Sequence, residues 1–353
     1  MPELPEVQRA TNALKERCCG ETITKVEVTE DRIVFADGIT HEDFASELTG
    51  RKVLDVKRYG KVFYFNLDGE GRSPVLHFGM TGNIHIKGSN PLKYMEGPKK
   101  QDAEWPPRFM KFILHLSSDG GKTVDTEVAF IDPRRLARIR LCNKPTEEPP
   151  ISALGFDPIL CMPSLEEFST QVLKRSCPIK ALLLDQSFSA GVGNWVADEI
   201  LYHARVHPEQ RCNTLNEEQV KKLYEKMKYV CETAVSVNAE SNKFPTHWLF
   251  GHRWGKGKRK EQASKLLLES GDAATIKWIT VGGRTSAYVV ELQKNGGGTS
   301  AKRGPRVKQE VIEESTTIVE QSTETTISRT TRSKRKVEES SSVQPTRQKR
   351  KKT

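Results

Sequence analysis

The spacing of apolar residues changes twice along the chain. Over residues 3–17, Leu4, Val7, Ala10 and Leu14 recur at helical intervals, which predicts a first helix stopped by Gly20. From about 22 to 141 the period shortens to that of strands, in the segments 23–28, 53–56, 62–67, 75–78, 109–114 and 128–131. Short strands separated by Gly, Asp and Asn predict an antiparallel sandwich or barrel. Residues 88–107 hold Gly, Asn, Pro and Lys and read as an exposed loop insertion.

The proline-rich stretch 143–158 reads as an interdomain linker. Helical spacing then returns over 165–173, 179–186, 195–204 and 216–237. The last carries an apolar stripe of Val220, Leu223, Tyr224, Met227, Val230, Ala234 and Val237, which is most simply core. Residues 275–292 read as strand again, turning at Gly282-Gly283-Arg284-Thr285. Beyond about 295 the chain is Ser, Thr, Glu, Lys and Arg, with too little apolar surface to offset the entropy of ordering, so it reads as disordered. The expected fold class is α+β. Residues 2–142 form an N-terminal helix and antiparallel β-sandwich, 143–160 a linker and 161–274 a helical domain. A hairpin occupies 275–292 and a disordered basic tail 293–353.

Charge adds little to the body. The chain has 56 basic and 46 acidic residues, a formal +10, and most of the excess lies in the tail. A basic tail attracts polyanions without naming a site. No apolar run approaches the roughly 18 residues of a membrane helix, and the chain start lacks the layout of a signal peptide. Seven cysteines, scattered and odd in number, suit reduced thiols.

Six stretches carry candidate chemistry. The first is Met1-Pro2-Glu3-Leu4-Pro5-Glu6. Removal of Met1 leaves a secondary amine on Pro2, with a pKa nearer about 8 than the roughly 10.4 of lysine. Such an amine attacks a sugar aldehyde carbon and yields a charged iminium directly. Glu3 and Glu6, one helical turn apart, are placed to shuttle protons beside it. Met-Pro also opens many ordinary proteins, and acidic residues suit a helix start for electrostatic reasons alone. The second is Lys61, entering the apolar strand Val62-Phe-Tyr-Phe, either at work or at an exposed edge. The third, His77-Phe78-Gly79-Met80-Thr81-Gly82, presents a flexible thioether between glycines.

The fourth, Asp132-Pro133-Arg134-Arg135-Leu136, sets arginines beside an apolar wedge, suited to a phosphate or a base stack, or is a solvated basic turn. The last two glycine-rich elements belong together. In Gly191-Val192-Gly193-Asn194 a helix stops, the chain turns, and Asn194 is expected to cap the next helix. Free amides there, with Lys180 adding a cation, would hold a phosphate; the alternative is a plain helix–helix corner. At the 282–285 turn, Arg284 stands ready to grip a phosphate bidentately.

In this order, these stretches resemble the Fpg/Nei family of formamidopyrimidine-DNA glycosylases over roughly residues 2–292, most closely its plant and fungal branch. The resemblance implies a two-lobed DNA repair enzyme, acting as a monomer on damaged double-stranded DNA, without metal or cofactor and without a membrane. It implies Pro2 as the nucleophile, Glu3 as the ring-oxygen acid, Glu6 as its support and Lys61 on a phosphate. Met80, Arg134 and Leu136 would fill the gap left by a flipped nucleotide. Lys180, Gly193, Asn194 and Arg284 would contact DNA, the middle pair from a helix–two-turn–helix. Bacterial members close with a four-cysteine zinc finger. Here no cysteine follows Cys231, so the 275–292 hairpin resembles a zincless finger, with Trp278 and Tyr288 as its packing residues. The wedge is Leu136 where bacterial enzymes have phenylalanine. Two rivals remain open at this level: a Nei-like glycosylase for oxidised pyrimidines, and a silent damage-binding protein.

The tail clusters Ser333-Lys-Arg-Lys336 and Arg347-Gln-Lys-Arg-Lys-Lys352 suit nuclear import. Removing residues 295–353 should disperse a fluorescent fusion from the nucleus; undiminished nuclear signal would count against that role.

Overall fold

The computed structural model describes residues 2–89, 92, 104–119, 123–254 and 265–295. Most of the expected 88–107 loop and the expected disordered tail lie outside these residues.

The chain begins with α1 (Leu4–Cys18), followed by β1 (Thr22–Val28), α2 (His41–Leu48), β2 (Val53–Tyr59), β3 (Val62–Leu67), β4 (Ser73–His77), β5 (Asn83–Ile86), β6 (Met110–Ser117), β7 (Thr126–Ile131) and β8 (Arg138–Cys142). These strands build two four-stranded antiparallel sheets, ordered β1-β6-β7-β5 and β2-β3-β4-β8. Their inner residues meet in one core. Phe63, Phe78, Phe130 and Phe112 run across it, with neighbouring ring centroids 4.7, 5.6 and 5.4 Å apart. Such aromatic contacts add directional preference to the apolar area they bury.

Two elements differ from the sequence expectation. Helix α2 interrupts the strand region. Its start is written locally: Thr40 accepts from the Asp43 amide at 3.0 Å and the Asp43 carboxylate accepts from the Thr40 amide at 2.9 Å. Phe44 and Leu48, one turn apart, are its buried face. The proline-rich stretch is no loose tether. Ile151 and Leu154 pack on Val62, Tyr64 and Val75, covering the outer face of β3 and β4. Asp157 is fully buried and accepts from the Arg58 guanidinium and from the amides of Gly60, Ile159 and Leu160.

The later half contains α3 (Leu165–Leu173), α4 (Ile179–Leu184), α5 (Asn194–Ala204) and α6 (Glu217–Ser236), then the hairpin β9 (Ile276–Val281) and β10 (Arg284–Val289). Helix α6 begins on an Asn216–Gln219 capping box and buries Val220, Leu223, Met227, Val230 and Ala234, most of the predicted stripe. Helix α5 is buried almost all round and forms the centre of the helical core. No described helix is long and apolar enough to cross a membrane.

Helix α1 joins the two cores. Val7, Ala10, Leu14 and Cys18 belong to the sandwich, whereas Leu4 packs into the helical core and donates its amide to Gly191 O at 3.1 Å. Full burial of one leucine is worth about 2 kcal/mol, so the first turn of α1 is held from both sides.

Candidate active site at the chain start

Pro2 and Glu3 are buried where α1 begins. The Glu3 carboxylate crosses to the start of α5: Oε1 accepts from the Trp195 amide at 3.0 Å and Oε2 from the Val196 amide at 3.1 Å. An anion at a helix N-terminus meets unpaired N–H groups and the positive end of the helix dipole. Gly193 makes room for it. A Cβ at that position would lie 2.2 Å from the Glu3 carboxyl carbon.

Glu6 sits behind Glu3. Its Oε2 accepts from the Glu3 amide at 3.0 Å and its Oε1 from Trp195 Nε1 at 3.1 Å. Burial, reinforced by the neighbouring Glu3 charge, pushes its pKa up to about 8, so it holds a proton at neutral pH. Lys61 is buried, not an exposed edge lysine, and donates from Nζ to Val192 O at 3.0 Å. Desolvation pulls its pKa down to about 8, against the opposing pull of Glu3 and Glu6.

A cavity of about 520 Å³ opens over these groups. Glu3, Lys61, Met80, Gly193, Asn194 and Arg284 all line it, so residues from both cores and the hairpin converge. Sequence reasoning assigned no role to three further residues on its wall. His77 accepts from the Gly79 amide through Nδ1 at 3.1 Å, and burial depresses its pKa to about 4, leaving a neutral ring. Arg253 and Trp254 line the wall with the guanidinium 4.4 Å from the indole ring. Their signal was the Arg-Trp pair at the head of a basic, glycine-rich stretch of sequence. A second cavity of equal volume, bounded by residues 30–42, contains none of these groups.

Two expectations fail. Asn194 does not cap α5. Gly193 is the N-cap, Asn194 is the first helical residue, and its Nδ2 donates to Thr285 O at 3.0 Å. Of the free amides at the start of α5, those of Trp195 and Val196 are taken by Glu3. Lys180 is not a free cation for DNA. It is fully buried, ion-paired with Asp198 and donating to Asn194 O at 2.8 Å. Contact with the Glu3 carboxylate explains Gly193 more directly than contact with DNA does.

Asp198 has a second role. It accepts from Arg253 Nε and Nη2 at 3.1 and 2.6 Å and from the Ala287 amide of β10 at 3.1 Å. One buried carboxylate therefore ties α4, α5, the 253 segment and the hairpin together. Packing adds to this. Trp278 donates to Arg253 O at 3.0 Å, and the Tyr288 ring stands edge-on to His207 at 4.7 Å. Arg284 is exposed at the hairpin tip. Among the described residues no His, Cys, Asp and Glu cluster could hold a metal ion.

Arg134 and Leu136 lie on an exposed turn outside the cavity lining. Arg135, between them, is pinned to Asp31 at 3.0 Å.

A model of the formamidopyrimidine-DNA glycosylase N-terminal domain matches residues 1–139, and one of the formamidopyrimidine-DNA glycosylase H2TH domain matches residues 154–246. The chain is 40% identical over 318 residues to a formamidopyrimidine-DNA glycosylase of Arabidopsis thaliana, covering 88% of this chain and 77% of that one. To the same-named protein of Heliobacterium modesticaldum it is 31% identical over 244 residues, covering 68% and 81%. It shares its fold with the Lactococcus lactis enzyme solved on DNA containing an abasic site, with a TM-score of 0.64, 23% identity, and coverage of 83% of this chain and 99% of that one.

Replacing Asp198 with Ala should cost about 3–5 kcal/mol, because Lys180 and Arg253 lose their buried counter-charge. Hydrogen exchange of the β9–β10 amides should speed up with it. Unchanged hairpin exchange in a destabilised variant would show that the carboxylate does not hold the hairpin.

Proposed function

The chain belongs to the formamidopyrimidine-DNA glycosylase family, the DNA glycosylases that start base excision repair of damaged bases, and on that footing we propose how it acts and on what. The substrate is an oxidised purine in duplex DNA, formamidopyrimidines foremost, and the nucleophile is the Pro2 nitrogen once Met1 is removed. The observation that carries the reading is the Glu3 carboxylate, held by the Trp195 and Val196 amides, which fixes the chain start beside Lys61 and Arg284 on one cavity.

The damaged nucleotide is drawn out of the stack at a cost of a few kcal/mol. Met80, Arg134 and Leu136 take its place. Pro2 attacks C1′ as the C1′–base bond breaks and the base departs with the bonding pair; the Pro2 N–H proton passes to the Glu3 carboxylate, which returns it to the ring oxygen as the sugar opens to an iminium. Loss of a C2′ proton expels the 3′ phosphate, and a second elimination expels the 5′ phosphate, leaving a one-nucleoside gap. Glu6, neutral at pH 7, supports the Glu3 amide without adding a second negative charge beside the nucleophile. Lys61, Asn194 and Arg284 contact the flanking phosphates. The hairpin serves as a finger held by packing and by Asp198 instead of metal.

Borohydride should trap a covalent complex on a duplex bearing formamidopyrimidine, more strongly than on one bearing thymine glycol. Pro2→Gly should lower trapping by about 10² or more; normal cross-linking by that variant would remove Pro2 from the mechanism.

Lys61 is charged below about pH 8 in the free enzyme and neutral above it. Its neutralisation should give the kcat/KM profile an alkaline limb near pH 8, opposing the rise from loss of the Pro2 proton, and Lys61→Arg should move that alkaline limb to higher pH. A limb still at about 8 in the variant would assign it to Glu6.

A further inference from the structure

Met80 and the pair Arg134 and Leu136 come from loops about fifty residues apart, yet the two loops are built as one piece. Asp132 is fully buried and every acceptor direction of its carboxylate is used. Oδ1 accepts from the Thr81 hydroxyl at 2.7 Å and the Arg134 amide at 3.1 Å; Oδ2 accepts from the Leu136 and Ala137 amides, each at 2.7 Å. Three of these bonds shape the turn that presents Arg134 and Leu136. The fourth leaves the turn and ties it to the residue after Met80. The backbones also touch: a Cβ on Gly79, whose φ is +61°, would fall 2.3 Å from Leu136 O. On the far side, Arg135 is locked to Asp31 in a left-handed backbone conformation with φ 56°. The backbone of the assembly is thus braced from several directions, while the Arg134 and Leu136 side chains stay exposed, Leu136 by 40%.

We propose that Thr81 is a positioning residue, whose hydroxyl registers Met80 against Arg134 and Leu136 so that the three side chains enter the emptied base stack together. The inference rests on the role given to those three residues above. Asp132 supplies the fixed point, and Thr81 is the only side-chain donor to it among the described bonds; the other donors are backbone amides of the turn itself. Loss of the hydroxyl leaves the three amide bonds that shape the turn and removes the side-chain tie to the Met80 loop. It also leaves one buried oxygen short of a partner, which makes a single hydrogen bond matter.

Thr81→Val removes the hydroxyl at nearly constant volume, and Thr81→Ser keeps it. Single-turnover cleavage is measured on a duplex bearing a formamidopyrimidine and on the same duplex bearing an abasic site, which has no base to extrude. The ratio of the first rate to the second should fall roughly tenfold in Thr81→Val, the worth of one hydrogen bond to a buried carboxylate, and return in Thr81→Ser. A Thr81→Val ratio equal to wild type overturns the proposal, whether both rates hold or both drop together, as a merely structural role would make them. A Thr81→Ser ratio as low as that of Thr81→Val also overturns it. Wild-type protein that cleaves neither duplex would remove the glycosylase mechanism itself, a result distinguishable from the other two.

Discussion

The Glu3 carboxylate on the first amides of α5 joins the two halves of this protein. It leaves α1, whose body is packed into the sandwich, and ends at the helix that forms the centre of the helical core. The contact is favourable because the two carboxylate oxygens meet two N–H groups that the helix cannot satisfy internally. It is possible because Gly193 has no side chain in the way. The same bonds fix the rotamer of the residue next to Pro2. Holding the two halves together and positioning the chain start are therefore one interaction.

Three buried aspartates repeat this logic elsewhere. Asp157 binds the β2–β3 turn to the proline-rich segment, Asp132 binds the Met80 loop to the 133–137 turn, and Asp198 binds the hairpin to α4 and α5. Asp157 and Asp132 sit where loops meet, and Asp198 lies on α5 where the hairpin and the 253 segment reach it. Taking a carboxylate out of water is costly, and the cost is offset only when nearly every lone pair has a donor. The network therefore tolerates one arrangement of its loops and rejects neighbouring ones. Around the cavity this gives Lys61, Met80 and Arg284 defined positions although all three lie at or beside turns.

The electrostatics around the cavity follow from the burial of its titratable groups. Glu6 and Lys61 carry opposite formal charges when ionised, yet burial moves both pKa values toward about 8 from opposite sides. At neutral pH the outcome is a neutral carboxyl behind the chain start and a cation beside it. That polarity suits a polyanion.

Much of this was legible in the chain. Apolar spacing located α1, α3, α6 and most strands, because those periods are imposed by which face must be buried, and the Gly282-Gly283 pair marked the hairpin turn. The N-terminal string, Lys61 and the Gly-Val-Gly turn were legible as chemistry because their residue types are unusual at those places. Helix α2 was written too, in the Thr40–Asp43 box, and was overlooked among strands. Other features had no local trace. Nothing in the sequence around Lys180 says that it faces Asp198, and nothing around Asn194 says that Glu3, 191 residues away, takes the amides of the helix it begins. His77, Arg253 and Trp254 reach one cavity wall only after sheets and helices have crossed. Spacing and residue type fix what each segment is and which groups it carries, since both act over a few residues. Which carboxylate meets which amide or cation was left to the tertiary structure, because those contacts depend on how distant elements cross.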